Sequence, residues 1–386
     1  MKISSFDIFL LQVPLGGQIY NPRVRWHRKQ SVLLRLTDKE GQVGWGECWC
    51  FDESADTLIR FLQTEIKPSV LGRTIDSVSS LWSEVWANTS LNGRHGLTAA
   101  SLSGVDIALY DLLSKARGVS LGSAIEEGPI RNDVPVYGSG GLYRINDSLD
   151  RLAAEMSGMV EQGHNRVKMK FGALPFIQDV ERLRTVRQAI GPKTKLIADA
   201  VYSLDSTKAR DWLPIWEEVG VEAIQAPFPV QDWASMTWLN RDCGIPVMVF
   251  ETESRIEIFR ALLQQEAIGV LQFSPIAAGG ITAAKKLIKL GQEFGVPVSL
   301  QCSSTWLAEA VALELARGHE YVAHVELHTL HQGLFECVSE KERSPVKGSL
   351  KLHDRTGLGF VPSISALTEV NNHLPDLTAG FFVQNQ

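Results

Sequence analysis

Two lysines separated by a single residue are the groups in this chain best suited to proton chemistry. Lys168 and Lys170 alternate within the apolar run 167–171, so on a β-strand both side chains would point to the same face. A nearby cation lowers the pKa of a lysine, and the neutral amine can then act as a base near neutral pH. The pair therefore predicts one general base with a second cation beside it.

Three residues with oxygen-bearing side chains follow, each at the end of an apolar run. Asp199 ends the run 196–199, Gln225 ends the run 223–225, and Glu251 ends the run 247–251. Side-chain oxygens are the ligands that hard divalent cations prefer. Such a cation stabilises the negative charge that builds up when a proton is removed from the carbon next to a carboxylate. The lysines and the oxygens together predict proton abstraction beside a metal-held carboxylate.

Each of these residues taken singly has an ordinary structural explanation. A lone Lys-x-Lys is usually a solvated strand edge, and a lone Asp at a strand end usually caps the next helix. Their common position favours a functional interpretation, because a βα-barrel collects its catalytic groups at the C-terminal ends of consecutive strands.

The elements that must position these residues alternate between strand and helix from Val134 onward. Amphipathic segments such as 177–190, 206–219 and 283–294 separate the apolar runs. A stride of about 26 residues is expected of a (β/α)8 TIM barrel. Eight apolar runs end near Ser139, Lys170, Asp199, Gln225, Glu251, Ser274, Gln301 and Glu326.

The first part of the chain has a different pattern. Residues 3–14, 30–36 and 42–50 indicate three strands, with a hairpin turn at 38–41, and 98–116 has helical spacing that Gly118 ends. We therefore predict an α/β fold in three parts. Residues 1–130 form an N-terminal α+β capping domain, 131–345 the catalytic barrel, and 346–386 a C-terminal segment that returns to the capping domain.

The bulk composition excludes some classes of function. The chain has 386 residues, 44% hydrophobic content and a formal net charge of −6, and its basic residues form no long block, so we expect no nucleic-acid partner. It has neither a signal-peptide pattern nor an uncharged apolar run of about 18 residues. We expect no membrane partner and a cytoplasmic location.

The chain resembles the enolase superfamily, specifically its mandelate racemase-like members (the mandelate racemase/muconate lactonizing enzyme family). The resemblance covers nearly the whole length and includes Trp45-Gly46-Glu47, the run 103–112 and Gly279-Gly280-Ile281-Thr282. It implies that Lys170 is the general base with Lys168 beside it. It also implies that Asp199, Gln225 and Glu251 bind Mg²⁺, and that the protein is a homo-oligomer.

The sequence departs from the family pattern at two places. Gln225 stands where a Glu is expected, so the metal site loses a formal charge and Mg²⁺ would bind weakly. The family's His–Asp pair at the seventh and sixth strands is replaced by Gln301 and Ser274, and neither can transfer a proton. Of two further acids, Glu222 should face away, and Glu253 could replace Gln225 only if its loop turns inward.

Losing the second base favours one-base elimination over racemisation, which needs a proton-transfer group on each face of the substrate carbon. We therefore predict a Mg²⁺-dependent lyase that dehydrates a small-molecule carboxylate, a sugar acid or another hydroxy acid. The alternatives are a racemase or epimerase with an unrecognised second base, and a degenerate barrel that binds an acid without turnover. Substrate contacts are predicted for Glu326, Gln301 and two residues of the loop 16–29, Arg25 and Tyr20.

Overall fold

Eight parallel strands close into a barrel in the computed structural model of this chain, which describes residues 1–50, 54–89, 91, 93, 95–249, 253–329, 344–359 and 362. Closure follows from the pairing of the last barrel strand with the first, in which Val325 lies opposite Val136 and His328 opposite Ser139. The predicted (β/α)8 barrel is confirmed. Its strands are β4 (Asp133–Ser139), β6 (Arg166–Lys170), β7 (Lys195–Asp199), β8 (Val221–Gln225), β9 (Val247–Val249), β10 (Val270–Phe273), β11 (Val298–Leu300) and β12 (Val322–His328).

Helices connect these strands and share one large apolar core with the outward-facing strand residues. The segment between β8 and β9 forms only a short helix and one π-helical turn, Trp238–Asp242. Among the described residues, no helix has both the length and the apolar character that a membrane span requires. The barrel helices are α5 (Leu149–Glu161), α6 (Phe176–Ile190), α7 (Ser206–Glu218), α8 (Trp233–Thr237), α9 (Ile256–Gln264), α10 (Gly280–Phe294) and α11 (Trp306–Gly318).

A capping domain of antiparallel sheet and helices precedes the barrel. Its sheet contains, in spatial order, β3 (Val43–Cys48), β2 (Arg25–Asp38), β1 (Ile3–Tyr20) and β5 (Tyr143–Arg144). Its long helix is capped by Gly118, whose φ of 68° allows the left-handed conformation. This domain has its own apolar core, in which the sheet packs on the helices. Its α-helices are α1 (Ala55–Phe61), α2 (Val78–Asn88), α3 (Leu97–Arg117) and α4 (Leu121–Ile125).

The prediction of a loop over 16–29 was wrong. Strand β1 continues to Tyr20 and β2 begins at Arg25, so this region is a hairpin with its tip at 21–24. The pairing is irregular between Pro14 and Ile19, where Gly16 and Gly17 adopt positive φ. These glycines absorb the irregularity without steric strain, and regular pairing resumes where Ile19 lies opposite Trp26.

The C-terminal segment contacts both parts of the chain. Strand β13 (Ser349–Lys351) pairs antiparallel with the first residues of β4. Beyond it, Gly357 accepts a hydrogen bond from Leu121 N at 2.8 Å, and Leu358 N donates to Asp111 Oδ1 at 2.9 Å. This segment therefore links the N-terminal end of the barrel to α3 and α4.

Candidate active site

Lys168 and Lys170 point into the barrel and share one acceptor, the carboxylate of Asp199. Lys170 Nζ donates to Asp199 Oδ2, and Lys168 Nζ lies 3.3 Å from the same oxygen. Strands β6 and β7 pair with Lys170 opposite Asp199, and this register brings the side chains together at the rim. Both ammonium groups therefore lie on one face of their strand, as the alternation predicts.

Lys168 is buried and is held by acceptors from three other strands. Besides Asp199, its Nζ lies 2.6 Å from Glu326 Oε1 and donates to Gln225 Oε1 at 2.9 Å. Burial by itself lowers the pKa of this lysine, but the negative charge of Glu326, followed by Tyr137 and Asp199, raises the pKa well above its ordinary value. Lys168 is therefore a fixed ammonium group at the centre of the cluster.

Glu326 is the fully buried counter-charge on β12. Burial raises the pKa of its carboxyl group, but Lys168 and Lys170 outweigh that effect and lower the pKa below its ordinary value. Its second oxygen accepts a hydrogen bond from Cys302 N at 3.0 Å. The two lysine side chains thus face two acidic side chains, Glu326 and Asp199.

Two buried residues next to the cluster, Gln272 and Tyr137, were not predicted from the sequence. Gln272 Nε2 donates to Gln225 Oε1 at 3.4 Å and to Tyr137 OH at 3.2 Å. Gln272 lies inside the apolar run of β10, two residues before Ser274. A glutamine in the middle of an apolar strand is the signal that could have identified this layer, since a buried amide needs hydrogen-bond partners.

The oxygens of Asp199 and Gln225 fit a hard divalent cation such as Mg²⁺. They lie opposite each other at the paired ends of β7 and β8, and Lys168 Nζ is within 3.3 Å of one and 2.9 Å of the other. Glu251, the third predicted ligand, lies outside the described residues. Within the described ranges, no group of three or more His, Cys, Asp and Glu side chains is arranged to hold a metal.

The two further acids near the predicted ligands, Glu222 and Glu253, are engaged by other cations. Glu222 Oε2 accepts from Arg166 Nε at 2.6 Å, and Glu222 Oε1 accepts from Lys195 Nζ at 2.6 Å. Glu253 Oε2 accepts from Arg255 Nη2 at 2.7 Å. Arg166 and Lys195 begin strands β6 and β7, so Glu222 lies toward the end of the barrel opposite the lysine cluster.

The far side of the rim carries neutral side chains where the family has its His–Asp pair. Ser274 and Gln301 directly follow the paired strands β10 and β11, and both are buried. Gln301 Nε2 donates to Ser303 Oγ at 2.5 Å. His328 is the final residue of β12. By alternation with Glu326, its side chain faces the barrel interior.

The hairpin residues Tyr20 and Arg25 contact groups outside the lysine cluster. The Tyr20 ring stacks on Tyr143 with 5.2 Å between ring centroids, and both line a cavity of about 490 Å³ beside the first turns of α5 and α6. The exposed Arg25 donates from Nε to Gly17 O at 2.7 Å. A role for Tyr20 and Arg25 in substrate binding remains a prediction.

Arg23, at the tip of the same hairpin, does reach the rim. Its guanidinium donates to the backbone carbonyls of Val201 and Tyr202, which follow Asp199 closely in the chain. No contact between Arg23 and the barrel was predicted from the sequence. The register of a hairpin decides which of its side chains reaches a neighbouring domain, and that register was not predicted.

Comparison with known families agrees with this architecture. The Mandelate racemase / muconate lactonizing enzyme, N-terminal domain family matches residues 22–125. The Enolase C-terminal domain-like family matches residues 151–366, which is more than half of the chain. The two matches fall on the capping domain and on the barrel.

Relatives of this chain include dehydratases, cycloisomerases and an epimerase. Arabinonate dehydratase of Saccharolobus solfataricus is 25% identical over 336 residues, covering 86% of this chain and 88% of the relative. D-galactarolactone cycloisomerase of Agrobacterium fabrum is 26% identical over 388 residues, covering 97% and 100%. A racemase from Streptomyces coelicolor A3(2), solved with bound magnesium, has the same fold with a TM-score of 0.86, 19% identity and coverage of 95% and 99%. The protein is thus similar to dehydratases and cycloisomerases, and it belongs to the mandelate racemase/muconate lactonizing enzyme family of the enolase superfamily.

Proposed function

We propose that this protein dehydrates a sugar acid or another hydroxy acid by removing the proton on the carbon next to the carboxylate. Lys170 is the base in this proposal, and Lys168 is the fixed cation that binds the substrate carboxylate. The observation that carries the proposal is the arrangement of both lysines around Asp199 on one side of the rim, with Ser274 and Gln301 on the other.

Lys170 and Lys168 have different roles in the first step. With its amine neutral, Lys170 takes the α-proton, and the electron pair of the broken C–H bond moves onto the substrate carboxylate to form an enediolate. Lys168 stays protonated because the nearby carboxylate of Glu326 raises the pKa of its ammonium group. It therefore stabilises the developing negative charge from a fixed position. Mg²⁺ held by Asp199, Gln225 and Glu251 would add Lewis-acid stabilisation of the same carboxylate oxygens.

The second step is elimination, and the reason lies in Ser274 and Gln301 on the far side of the rim. Ser274 and Gln301 cannot return a proton to the opposite face of the carbon, so inversion at that carbon is disfavoured. The enediolate instead expels the hydroxyl group on the β-carbon, which takes up one proton, balancing the proton that Lys170 removed, and leaves as water. Because the α-carbon also carries a hydroxyl group, the product is an enol that tautomerises to a 2-keto acid, and the balanced reaction converts a 2,3-dihydroxy acid to a 3-deoxy-2-keto acid plus water.

The direct test is to incubate the protein and Mg²⁺ in D₂O with a panel of aldonic and aldaric acids, each followed by proton NMR. The proposal predicts loss of the α-proton signal together with formation of a 3-deoxy-2-keto acid. Lys170→Ala should slow exchange and elimination by at least about 100-fold. The matched control is Lys208→Ala, because Lys208 is a surface lysine with a side-chain exposure of 62% that pairs with Asp205 at 3.4 Å.

Each alternative function has its own signature in this experiment. Inversion of the α-carbon without loss of water identifies an epimerase. Neither exchange nor elimination with any acid, together with no measurable Mg²⁺ binding, identifies a non-catalytic acid-binding barrel. Exchange that is unchanged in Lys170→Ala shows that another group is the base.

A further inference from the structure

The backbone next to the candidate metal ligands adopts an unfavourable conformation. Val201 and Tyr202, which follow Asp199 closely, have φ angles of 47° and 59°, and Ala226, directly after Gln225, has a φ of 44°. Left-handed backbone is uncommon for any residue with a side chain, and for a β-branched residue such as valine it is a genuine outlier. Such conformations persist only where surrounding contacts hold them.

Hydrogen bonds within the barrel hold one side of this turn. Val201 N donates to Asp199 Oδ1 at 3.0 Å, so the turn and the carboxylate orient each other. Tyr202 N donates to Ala226 O at 2.6 Å, and this bond joins the turn after Asp199 to the residue after Gln225. The backbone conformation at Val201 therefore helps to set the direction of the Asp199 carboxylate.

Arg23 of the capping domain holds the other side. Its Nε donates to Val201 O at 3.4 Å, and its Nη2 donates to Tyr202 O, so one guanidinium binds the carbonyls of both left-handed residues. Arg23 is itself oriented by the hairpin tip, where Asn21 Oδ1 accepts from Arg23 N and from Val24 N, each at 2.8 Å. The planar guanidinium has the fork of donors that two neighbouring carbonyls require.

We infer that Arg23 is a positioning residue: it keeps the turn after Asp199 in its left-handed conformation and thereby keeps the Asp199 carboxylate aimed at the cation site. The capping domain then controls the geometry of a metal ligand in the barrel. The part concerning the cation rests on the proposed function, whereas the coupling between Arg23 and the turn does not.

The test is a double-mutant cycle between Arg23→Ala and Val201→Gly. Glycine adopts positive φ without steric cost and adds no ligand atom, so Arg23 should matter less in that background. Isothermal titration with Mn²⁺ should show the Kd rising about tenfold on Arg23→Ala in the native background, as for other residues that orient metal ligands. In the Val201→Gly background the rise should be less than about threefold.

The direction of the change separates positioning from charge. Removing a cation near a metal site should strengthen binding of a divalent cation by Coulomb's law, whereas loss of positioning weakens it. Arg23→Lys keeps the charge without the planar fork and should also weaken binding. Arg184→Ala removes an exposed arginine that pairs with Glu218 on the outer helices and should leave the Kd unchanged.

Several results would overturn the inference. These are unchanged or tighter Mn²⁺ binding by Arg23→Ala, equal losses in both backgrounds, or native affinity in Arg23→Lys. If the native protein binds no Mn²⁺, the proposed cation is rejected. Thermal unfolding without metal of the native protein, the two single variants Arg23→Ala and Val201→Gly, and the double variant then tests the coupling between Arg23 and the turn. Equal shifts in Tm on removing Arg23 from both backgrounds would reject this coupling.

Discussion

Lys168 Nζ lies 2.6 Å from Glu326 Oε1, although strand β4 separates their two strands in the closed barrel. The side chains of both residues are almost completely inaccessible to solvent, at 1% and 0% exposure. Removing one member of a buried ion pair leaves the other charge without compensation, which costs more than the net contribution of the pair itself. This relationship gives the first prediction.

Lys168→Met should destabilise the protein by about 3–5 kcal/mol, because Glu326 loses its main compensating charge. The double variant Lys168→Met/Glu326→Leu should lose less than the sum of the single variants, because no isolated carboxylate remains. Chemical denaturation followed by tryptophan fluorescence measures each loss.

A matched control is Lys195→Met, because Lys195 has a side-chain exposure of 57% and bonds Glu222 at the opposite end of the barrel. This change should cost less than about 1 kcal/mol. Strictly additive losses in the double variant at Lys168 and Glu326 would contradict a coupled pair.

Gln225→Glu should tighten binding of Mg²⁺ by about tenfold, because a carboxylate adds a negative charge to a site of oxygen ligands. Titration calorimetry on the metal-free protein measures the effect. Gln265→Glu, which adds the same charge at an exposed position after α9, should leave the Kd unchanged. Equal tightening in both variants would show that overall charge, and not ligation by residue 225, is responsible.

Asp106 should make the stability depend on pH. Its carboxylate accepts hydrogen bonds from Thr282 N at 2.8 Å and Thr282 Oγ1 at 2.7 Å, and burial raises its pKa from 3.8 to about 7. The folded state therefore binds more protons than the unfolded chain between about pH 4 and pH 7, so this group's contribution to stability falls as the pH rises through that window.

Relative to Asp106→Asn, the native protein should lose stability from about pH 4 to pH 7, by at most about 4 kcal/mol, and then show a constant difference above pH 7. Urea denaturation of both proteins across this range measures the difference. A difference that is independent of pH would show that Asp106 does not titrate in this window.

His328 should assist departure of the hydroxyl group, because it ends β12 with its side chain toward the barrel interior. His328→Asn should slow formation of the keto acid by about 100-fold and leave deuterium exchange at the α-carbon near its native rate. The proton NMR experiment in D₂O reports both rates at once. Parallel losses of exchange and elimination would instead place His328 in substrate binding.

The periodicity of the sequence was sufficient to predict the barrel and the ends of β6, β7 and β8 at Lys170, Asp199 and Gln225. Strand alternation depends only on local backbone geometry, so Lys168 and Lys170 were correctly predicted to share a face. The end of an apolar run marks the rim of a parallel barrel, and this identified Asp199 and Gln225 as neighbours. These features follow from short-range rules that one segment of chain carries by itself.

Only the tertiary structure decided which groups surround Lys168 and how the hairpin 16–29 meets the barrel. The contact between Lys168 and Glu326 exists because β12 closes onto β4, and closure is a property of the whole barrel. The position of Arg23 depends on where β1 and β2 pair again after the irregularity between Pro14 and Ile19. Such contacts depend on packing between distant segments, and the local pattern of residues contains no signal for them.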